Sequence, residues 1–334
     1  MEHRVNEIPI ASRRAFIGLG SSALAAAFAG SARGATRSGI PAAKKGTAEM
    51  RYRTIDVGGL EIFYREAGPA AAPVVLLLHG FPTSSRMFRN LIPMLADKYR
   101  VTAPDYPAFG HSSVPSRDEF HYTHAHLSEV VDAFVQKLAI KRFAMYVMDF
   151  GGPIGYRLML KYPDRVTGVF IQNAPAFGEP GNGPLWEPEI AYWKDPSPEH
   201  RNALRTKLTP EAVRFQYTSG TRDPSLIDPD NWTIDTALLA RPGVDEIMLD
   251  LLYDIKNNHQ TVADARQYFG KHQRQVMIAT GVNDPLFPGD SVKPPSDMSK
   301  IEFHGIDSGH FALEDRCEEI GALARGFLGR VMPA

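Results

Sequence analysis

Three things are scarce in this sequence. Only one of its 334 residues is a cysteine, Cys317, which rules out an internal disulfide framework. Excess charge is missing as well. The 37 Lys and Arg against 38 Asp and Glu leave a net of −1, so nothing points to nucleic acid or an anionic membrane surface as a partner. Long apolar runs are also lacking: the stretch "IGLGSSALAAAFAG" near the N-terminus is too short, and too rich in Gly and Ser, for a membrane span. The single cysteine lies in "LEDRCEEI", a polar segment that reads as a helix, and is a spare thiol rather than a nucleophile. What is left is an ordinary globular balance, 43% hydrophobic and 22% charged, with chain enough for one large α/β domain carrying an insertion, or for two domains.

The N-terminal apolar stretch has a specific left flank. "SRRAF" puts Arg13 and Arg14 directly before it, and serine, phenylalanine and the apolar run fall in the order of a twin-arginine export signal, which the segment resembles. Small residues crowd where a signal peptidase would cut, after Ala29, Ala32 or Ala35. Residues 1–50, rich in Ala, Gly, Lys and Ser, read as leader and linker. The mature protein is then expected to be periplasmic or secreted, without a stable membrane anchor.

Beyond residue 50 strands and helices alternate. Two alternating runs around Gly58-Gly59 predict a hairpin. "PVVLLLHG" is a continuous apolar run ending in glycine, as suits a strand covered on both faces. "SSRMFRNLIPMLADKY" has helical spacing with Ser84 or Ser85 as N-cap. "RVTAPD" and "RFAMYVMD" read as strands flanking the amphipathic helix "THAHLSEVVDAFVQKLAI". A helix over "GPIGYRLMLKYPDRV" leads to the strand "TGVFIQNAP", and "RQVMIATG", "KIEFHGI" and a final helix over "FALEDRCEEIGALARGFLGRV" close the chain. The alternation predicts a mainly parallel, doubly wound sheet with an antiparallel edge. Residues 177–260 break it. They are rich in Pro, Trp, Tyr and Asp, show short helical patterns and no convincing strand, and read as a helical lid inserted over the carboxyl ends of the strands. The core is then residues 51–176 and 261–334.

The chemistry sits in three loops, each after a predicted strand. Asp149 lies in "YVMDFGGPIG", Asp284 in "TGVNDPLFP" and His310 in "GIDSGHFALED". Nucleophile, acid, histidine is a recognised chain order for a hydrolytic triad. The first loop has the shape of a sharp strand-to-helix turn. Gly151 and Gly152 give it small residues on the helix side, while Val147 stands where a small residue is usual on the strand side and implies somewhat different packing there. An aspartate in the nucleophile's seat changes the reaction. A carboxylate with an ordinary pKa of about 3.9 is already ionised at neutral pH. It can attack an alkyl carbon and form an ester with the enzyme, whereas attack on an acyl ester would give a mixed anhydride, a poor route.

Together with "HGFPTSS" at residues 79–85 and "APDYPAFGHS" at residues 103–112, these loops make the chain resemble the α/β-hydrolase superfamily over residues 54–331, and most of all its epoxide hydrolases and haloalkane dehalogenases with an aspartate nucleophile. The resemblance implies an α/β-hydrolase fold and no cofactor or metal, with a small molecule and water as partners. Asp149 would be alkylated; His310 would deprotonate the water that hydrolyses the ester; Asp284 would orient the imidazole. Backbone N–H groups of Phe81 and Phe150 would hold the oxyanion, and Pro82 is a candidate cis proline. The two families differ at the leaving group. Epoxide hydrolases polarise the ring oxygen with lid tyrosines, here Tyr192, Tyr217 or Tyr253. Haloalkane dehalogenases cradle halide with Trp and often Asn N–H groups, one of them directly after the nucleophile. Phe150 and Phe81 lack such donors, so epoxide opening ranks ahead of carbon–halogen hydrolysis, for which lid Trp186, Trp193 or Trp232 would have to supply a donor. Arginines that would hold a carboxylate substrate are missing beside Asp149; Arg157 is expected to face solvent.

Plainer readings compete at each position. An aspartate at a strand-to-helix turn is commonly just an N-cap, but Asp284 and His310 in the right order favour catalysis. A binding protein on the same scaffold, with a pocket and no turnover, would have no need of that pair. His79 is expected to brace the oxyanion loop. His121, His124 and His126 are expected to be solvated or to pack a loop, since no carboxylate joins them in a recognised metal-ligand pattern. Most lid aromatics should simply pack. For the leader, the expectation is tested by fractionating cells expressing the Arg13→Lys/Arg14→Lys variant: the double variant should stay in the cytoplasm while the parent is exported, and unchanged export would rule the signal out.

Overall fold

The computed structural model describes residues 49–178, 183–288 and 292–333. The arginine pair and the three candidate cleavage positions lie outside the described residues. The N-terminal hairpin forms as its alternation predicts: β1 (Arg51–Val57) pairs antiparallel with β2 (Leu60–Ala67), with Val57 opposite Leu60. The central strands are nearly continuous apolar runs, while β1 and β8 at the sheet's edges are mostly exposed or half-buried. Every residue of β3 (Val74–Leu78), β5 (Phe143–Met148) and β7 (Val276–Gly281) is buried, as expected where helices cover both faces. With β4 (Arg100–Pro104), β6 (Val166–Gln172) and β8 (Glu302–Ile306) they form an eight-stranded sheet in the order β1-β2-β4-β3-β5-β6-β7-β8. β2 pairs antiparallel with both β1 and β4, and all other neighbours are parallel.

The helices follow their caps and apolar stripes. The run after β3, predicted as one helix, is split into a 3-10 turn (Ser85–Phe88), capped by the Ser84 hydroxyl, and a short α1 (Leu91–Leu95). Pro93 explains the split, because it has no N–H to bond to the Arg89 carbonyl in a continuous helix. α2 (His124–Lys137) is capped by Thr123 and buries Leu127, Val130, Val131, Phe134 and Val135, one face at helical spacing. α3 (Gly151–Lys161) follows β5 without a connecting loop, and α10 (Cys317–Val331) closes the chain.

Between β6 and β7 the described residues form helices only: α4 (Glu187–Lys194), α5 (Pro198–Ala203), α6 (Pro210–Thr218), α7 (Asp230–Leu239), α8 (Val244–Asp254) and α9 (His259–Lys271). The prolines of this stretch start helices rather than break them. Pro198 and Pro210 stand in the first turn behind the capping hydroxyls of Ser197 and Thr209. Charged side chains tie the helices to loops that leave the carboxyl ends of strands. Arg241 donates to the Ala108 and Gly110 carbonyls at 2.6 and 3.0 Å. Asn231 bridges Arg86 and Glu314, and Glu314 in turn takes a bidentate pair from Arg89 at 3.0 and 2.7 Å.

The turn from β5 into α3 is tightly packed. Asp149 stands at φ +50°, a left-handed conformation uncommon for a residue with a side chain. A Cβ on Gly151 would lie 2.2 Å from the Leu78 carbonyl oxygen, so the helix passes β3 at a distance only glycine permits. Val147 is accommodated from the other side: a Cβ on Gly155 would meet its Cγ1 at 2.8 Å, so the missing bulk has moved one turn along α3. Gly151→Ala should therefore force α3 away from β3. The expected cost is about 3 kcal/mol, a fall in Tm of roughly 6–12 °C by calorimetry; an unchanged Tm would show that the turn can relax.

Candidate active site

Asp149, Asp284 and His310 sit at the carboxyl ends of β5, β7 and β8, and the structure brings all three together. His310 Nδ1 is 2.8 Å from Asp284 Oδ2, and both residues are buried. That contact needs the ring proton on Nδ1, which leaves Nε2 with its lone pair. Nε2 has no hydrogen-bond partner among the described residues and lies 4.0 Å from Asp149 Oδ2, beyond hydrogen-bond range. The other oxygen, Oδ1, accepts the Phe81 N–H at 2.8 Å. The loop carrying that N–H has a cis Phe81-Pro82 bond, as the sequence suggested. It approaches so closely that a Cβ on Gly80 would meet the Asp149 Cβ at 2.3 Å.

The charges are finely opposed. Burial pushes the Asp149 carboxyl above its ordinary value, against the pull of His310 and of the Phe81 and Phe150 N–H groups. Burial alone would lower the His310 pKa, but the Asp284 charge and hydrogen bond, and after them the Asp149 charge, hold it above 6.5. For Asp284 burial is outweighed by His310, by Asn173 and by the Leu286 N–H, and the carboxyl is held below its ordinary value. His79, fully buried, is pushed down to about 4 by burial and so stays neutral. Its Nδ1 lies 3.0 Å from the Gly80 carbonyl and its ring stacks on Tyr106, which fits the bracing role expected of it.

Above Asp149 lies a cavity walled by Phe150, Pro153, Trp186, Ile255 and Phe287, with Asn258 the other polar side chain among its described lining. Its free space, about 20 Å³, holds about one water molecule. A larger groove of about 540 Å³ runs between the hairpin and α2, past Val57, Phe120 and Glu129, and none of the three triad residues lines it.

Of the lid residues proposed as donors, Trp186 alone is among the described lining of the cavity beside Asp149. None of Tyr192, Tyr217 and Tyr253 is among the described lining of the cavity. Tyr217 is buried, stacks on Phe311 and donates to Asp235 Oδ2 at 2.5 Å. The Tyr192 hydroxyl accepts from Arg201 at 3.2 Å, and its ring packs against Tyr253, over which the Lys256 ammonium sits at 3.6 Å. The Tyr217 and Tyr192 hydroxyls are thus engaged by polar groups of neighbouring helices, Asp235 of α7 and Arg201 of α5. Trp186 lines the cavity, but its indole N–H donates to the Leu286 carbonyl at 3.1 Å; Trp193 likewise donates to Leu252, and Trp232 is half-buried beside Tyr217. Arg157, expected in solvent, is half-buried and donates to the Pro153 carbonyl.

Three residues escaped the sequence reading. Asn173, after β6, donates to Asp284 Oδ2 at 2.7 Å and accepts the Gly281 N–H, so it fixes the acid that fixes the histidine. Its place at a strand's carboxyl end was the available signal. His124 is fully buried rather than solvated. Its backbone N–H and Nδ1 both reach Asp254 Oδ2, at 2.7 and 2.9 Å, and its ring meets Phe150 edge-on. Asp254 is 130 residues away, and no local pattern links the two. Asn258 is the third. Cys317 starts α10, and burial pushes its thiol up to about 11, which suits an inert side chain.

Comparison with known proteins agrees with this fold. The family model described as alpha/beta hydrolase fold matches residues 73–197. An uncharacterized hydrolase of Saccharomyces cerevisiae is 38% identical over 271 residues, 79% of this chain and 92% of that protein. A haloalkane dehalogenase of Bradyrhizobium diazoefficiens is 31% identical over 166 residues, 48% of this chain and 51% of its own, so the chain matches about half of that relative's length. The solved structure of the epoxide hydrolase CorEH superimposes with a TM-score of 0.66 over 85% of this chain and 100% of that one, at 17% identity, a likeness of fold alone. With a mainly parallel eight-stranded sheet, a match to the alpha/beta hydrolase fold and a hydrolase relative over most of its length, the chain belongs to the α/β-hydrolase superfamily.

Proposed function

We propose that this hydrolase turns over a small apolar electrophile through a covalent ester on Asp149, and that epoxides are its leading substrates. The observation that carries the reading is the placement of Asp149 between the Phe81 N–H at 2.8 Å and the unpartnered Nε2 of His310 at 4.0 Å. With Oδ1 tethered, Oδ2 attacks the substrate carbon, and the bond from that carbon to its leaving atom breaks. A water entering beside His310 Nε2 then gives up a proton to it and attacks the Asp149 carboxyl carbon. The oxyanion so formed accepts from the Phe81 and Phe150 N–H groups. Collapse breaks the ester, His310 returns its proton to the departing alkoxide, and Asp149 keeps one oxygen from water. A binding protein without turnover would have no need of an imidazole held by Asp284 and Asn173.

The leaving group is supported from the same walls. A halide released into an apolar cavity needs several N–H groups to replace its hydration. Phe81 and Phe150 carry none in their side chains, and the Trp186 N–H is committed to Leu286. A strained ring oxygen is driven out partly by relief of its own strain and needs fewer. Carbon–halogen hydrolysis remains the second reading, favoured by the similarity to a haloalkane dehalogenase. With room for about one water, the cavity admits either substrate only if Trp186, Ile255 or Phe287 gives way.

Turnover of a small epoxide in isotopically labelled water, with enzyme in excess, should place label in the Asp149 side chain, read by peptide mass analysis. His310→Gln should instead accumulate alkyl-enzyme. Turnover with no label in Asp149 sinks the ester route, and halide release from bromoalkanes without any epoxide opening reverses the substrate ranking.

Two acid limbs are also expected. Alkylation needs ionised Asp149, so it should fail at a pH above the usual carboxylate range, because burial raises that group. Ester hydrolysis needs neutral His310, whose pKa in the resting protein stands above 6.5 partly through the Asp149 charge. Esterification removes that charge. The hydrolysis limb, measured in single turnovers of preformed alkyl-enzyme, should therefore lie below the resting His310 pKa measured by NMR. Equal values would mean that the two groups are not coupled.

A further inference from the structure

The ester chemistry leaves one polar side chain of the cavity without a task. Asn258 ends the turn Ile255–Asn258, is 2% exposed, and lines the cavity with Asp149. Its Oδ1 is buried with no hydrogen-bond partner among the described residues. A buried amide left unpaired is costly, and apolar side chains of similar size would remove that cost. The neighbouring walls offer the Oδ1 no donor: the Phe150, Ile255, Val262 and Phe287 side chains are apolar, and the Trp186 N–H is taken. The two ends of the amide exchange by a half-turn of the side chain, so the unpartnered end can present either an acceptor or an N–H donor to whatever enters.

We infer that the Asn258 side-chain amide binds the leaving oxygen of the substrate, donating from Nδ2 as the carbon–oxygen bond breaks. The inference rests on the ester reading of the site given above. In a displacement by Asp149 Oδ2 the departing atom points away from the nucleophile, toward the cavity walls that the helices between β6 and β7 provide. Asn258 is on those walls. As the Asp149–carbon bond forms, the ring carbon–oxygen bond breaks and its electron pair passes to the oxygen, where the N–H stabilises the growing charge. An amide does not surrender its proton at neutral pH, so the proton that completes the new hydroxyl comes from water, and the hydroxide left behind is neutralised by the proton released when ester hydrolysis returns Asp149 to its carboxylate. Asn258 thus takes the part assigned on sequence grounds to lid tyrosines, which are held elsewhere.

The test measures alkyl-enzyme formation by intact mass in the His310→Gln background, with a small aryl epoxide as probe, for the parent and for Asn258→Leu and Asn258→Asp. Alkylation should slow at least tenfold in both variants. The Leu variant should melt at the parent temperature or above it, because it removes an unpaired buried amide; slower chemistry without lost stability is the mark of a residue kept for substrate. Alkylation at the parent rate in either variant overturns the inference while leaving the ester reading intact. Failure of the parent to form any alkyl-enzyme overturns the ester reading and this inference with it. Should Asn258→Leu not fold, Asn258→Asp, which keeps the shape and loses the donor, decides alone.

Discussion

Asp149 carries a negative charge into a place where only 8% of its surface meets solvent, and most of the core can be read as the means of keeping it there. Taking a carboxylate out of water costs several kcal/mol unless hydrogen bonds and opposite charge replace the lost hydration. Here they come from successive strand ends. The Phe81 N–H arrives from β3, His310 from β8, the Asp284 that holds His310 from β7, and the Asn173 that holds Asp284 from β6. In the sheet those strands stand side by side with β5, in the order β3-β5-β6-β7-β8. One slipped register would leave a buried charge without its partner. The glycines near Asp149 serve the same end, since they let the β3 loop and α3 come close enough for backbone N–H groups to reach the carboxylate.

The compensation is incomplete. Burial raises the Asp149 carboxyl against the pull of His310, while two carboxylates raise His310 against its own burial. His310 Nε2 stands 4.0 Å from Asp149 Oδ2, beyond hydrogen-bond range, and has no partner among the described residues. Asp284 differs: four favourable interactions drive its pKa down despite burial, so it stays ionised while its neighbours change charge.

The helices between β6 and β7 use their polar side chains mainly to stay in place. Tyr217 with Asp235, Arg201 with Glu246, and Asp254 with His124 on the core are structural pairings, and they draw potential donors away from the nucleophile. Burial pushes Asp235 up to about 7 against the Tyr217 hydrogen bond and the Arg86 charge, which marks how little solvent reaches that layer. What lines the cavity beside Asp149 is therefore almost wholly apolar.

Much of the fold was legible in the chain because its signals are local. Continuous apolar runs marked the strands covered on both faces, the Gly58-Gly59 pair marked the hairpin, and the order Asp149, Asp284, His310 named the triad, since each follows its own strand. Val147 looked like a defect in the nucleophile turn until Gly155 was seen to make room for it. Contacts across long separations could not be read this way. That His124 meets Asp254, that Tyr217 turns to Asp235 and the Trp186 N–H to Leu286, and that Asn258 is left unpaired beside Asp149 all depend on how helices far along the chain settle on the strand ends. The sequence by itself determined the sheet and the strand-end places of Asp149, Asp284 and His310, because periodicity and turn chemistry act over a few residues. Only the tertiary structure decided which groups surround Asp149, because a side chain's direction is set by the neighbours it packs against and not by its place in the chain.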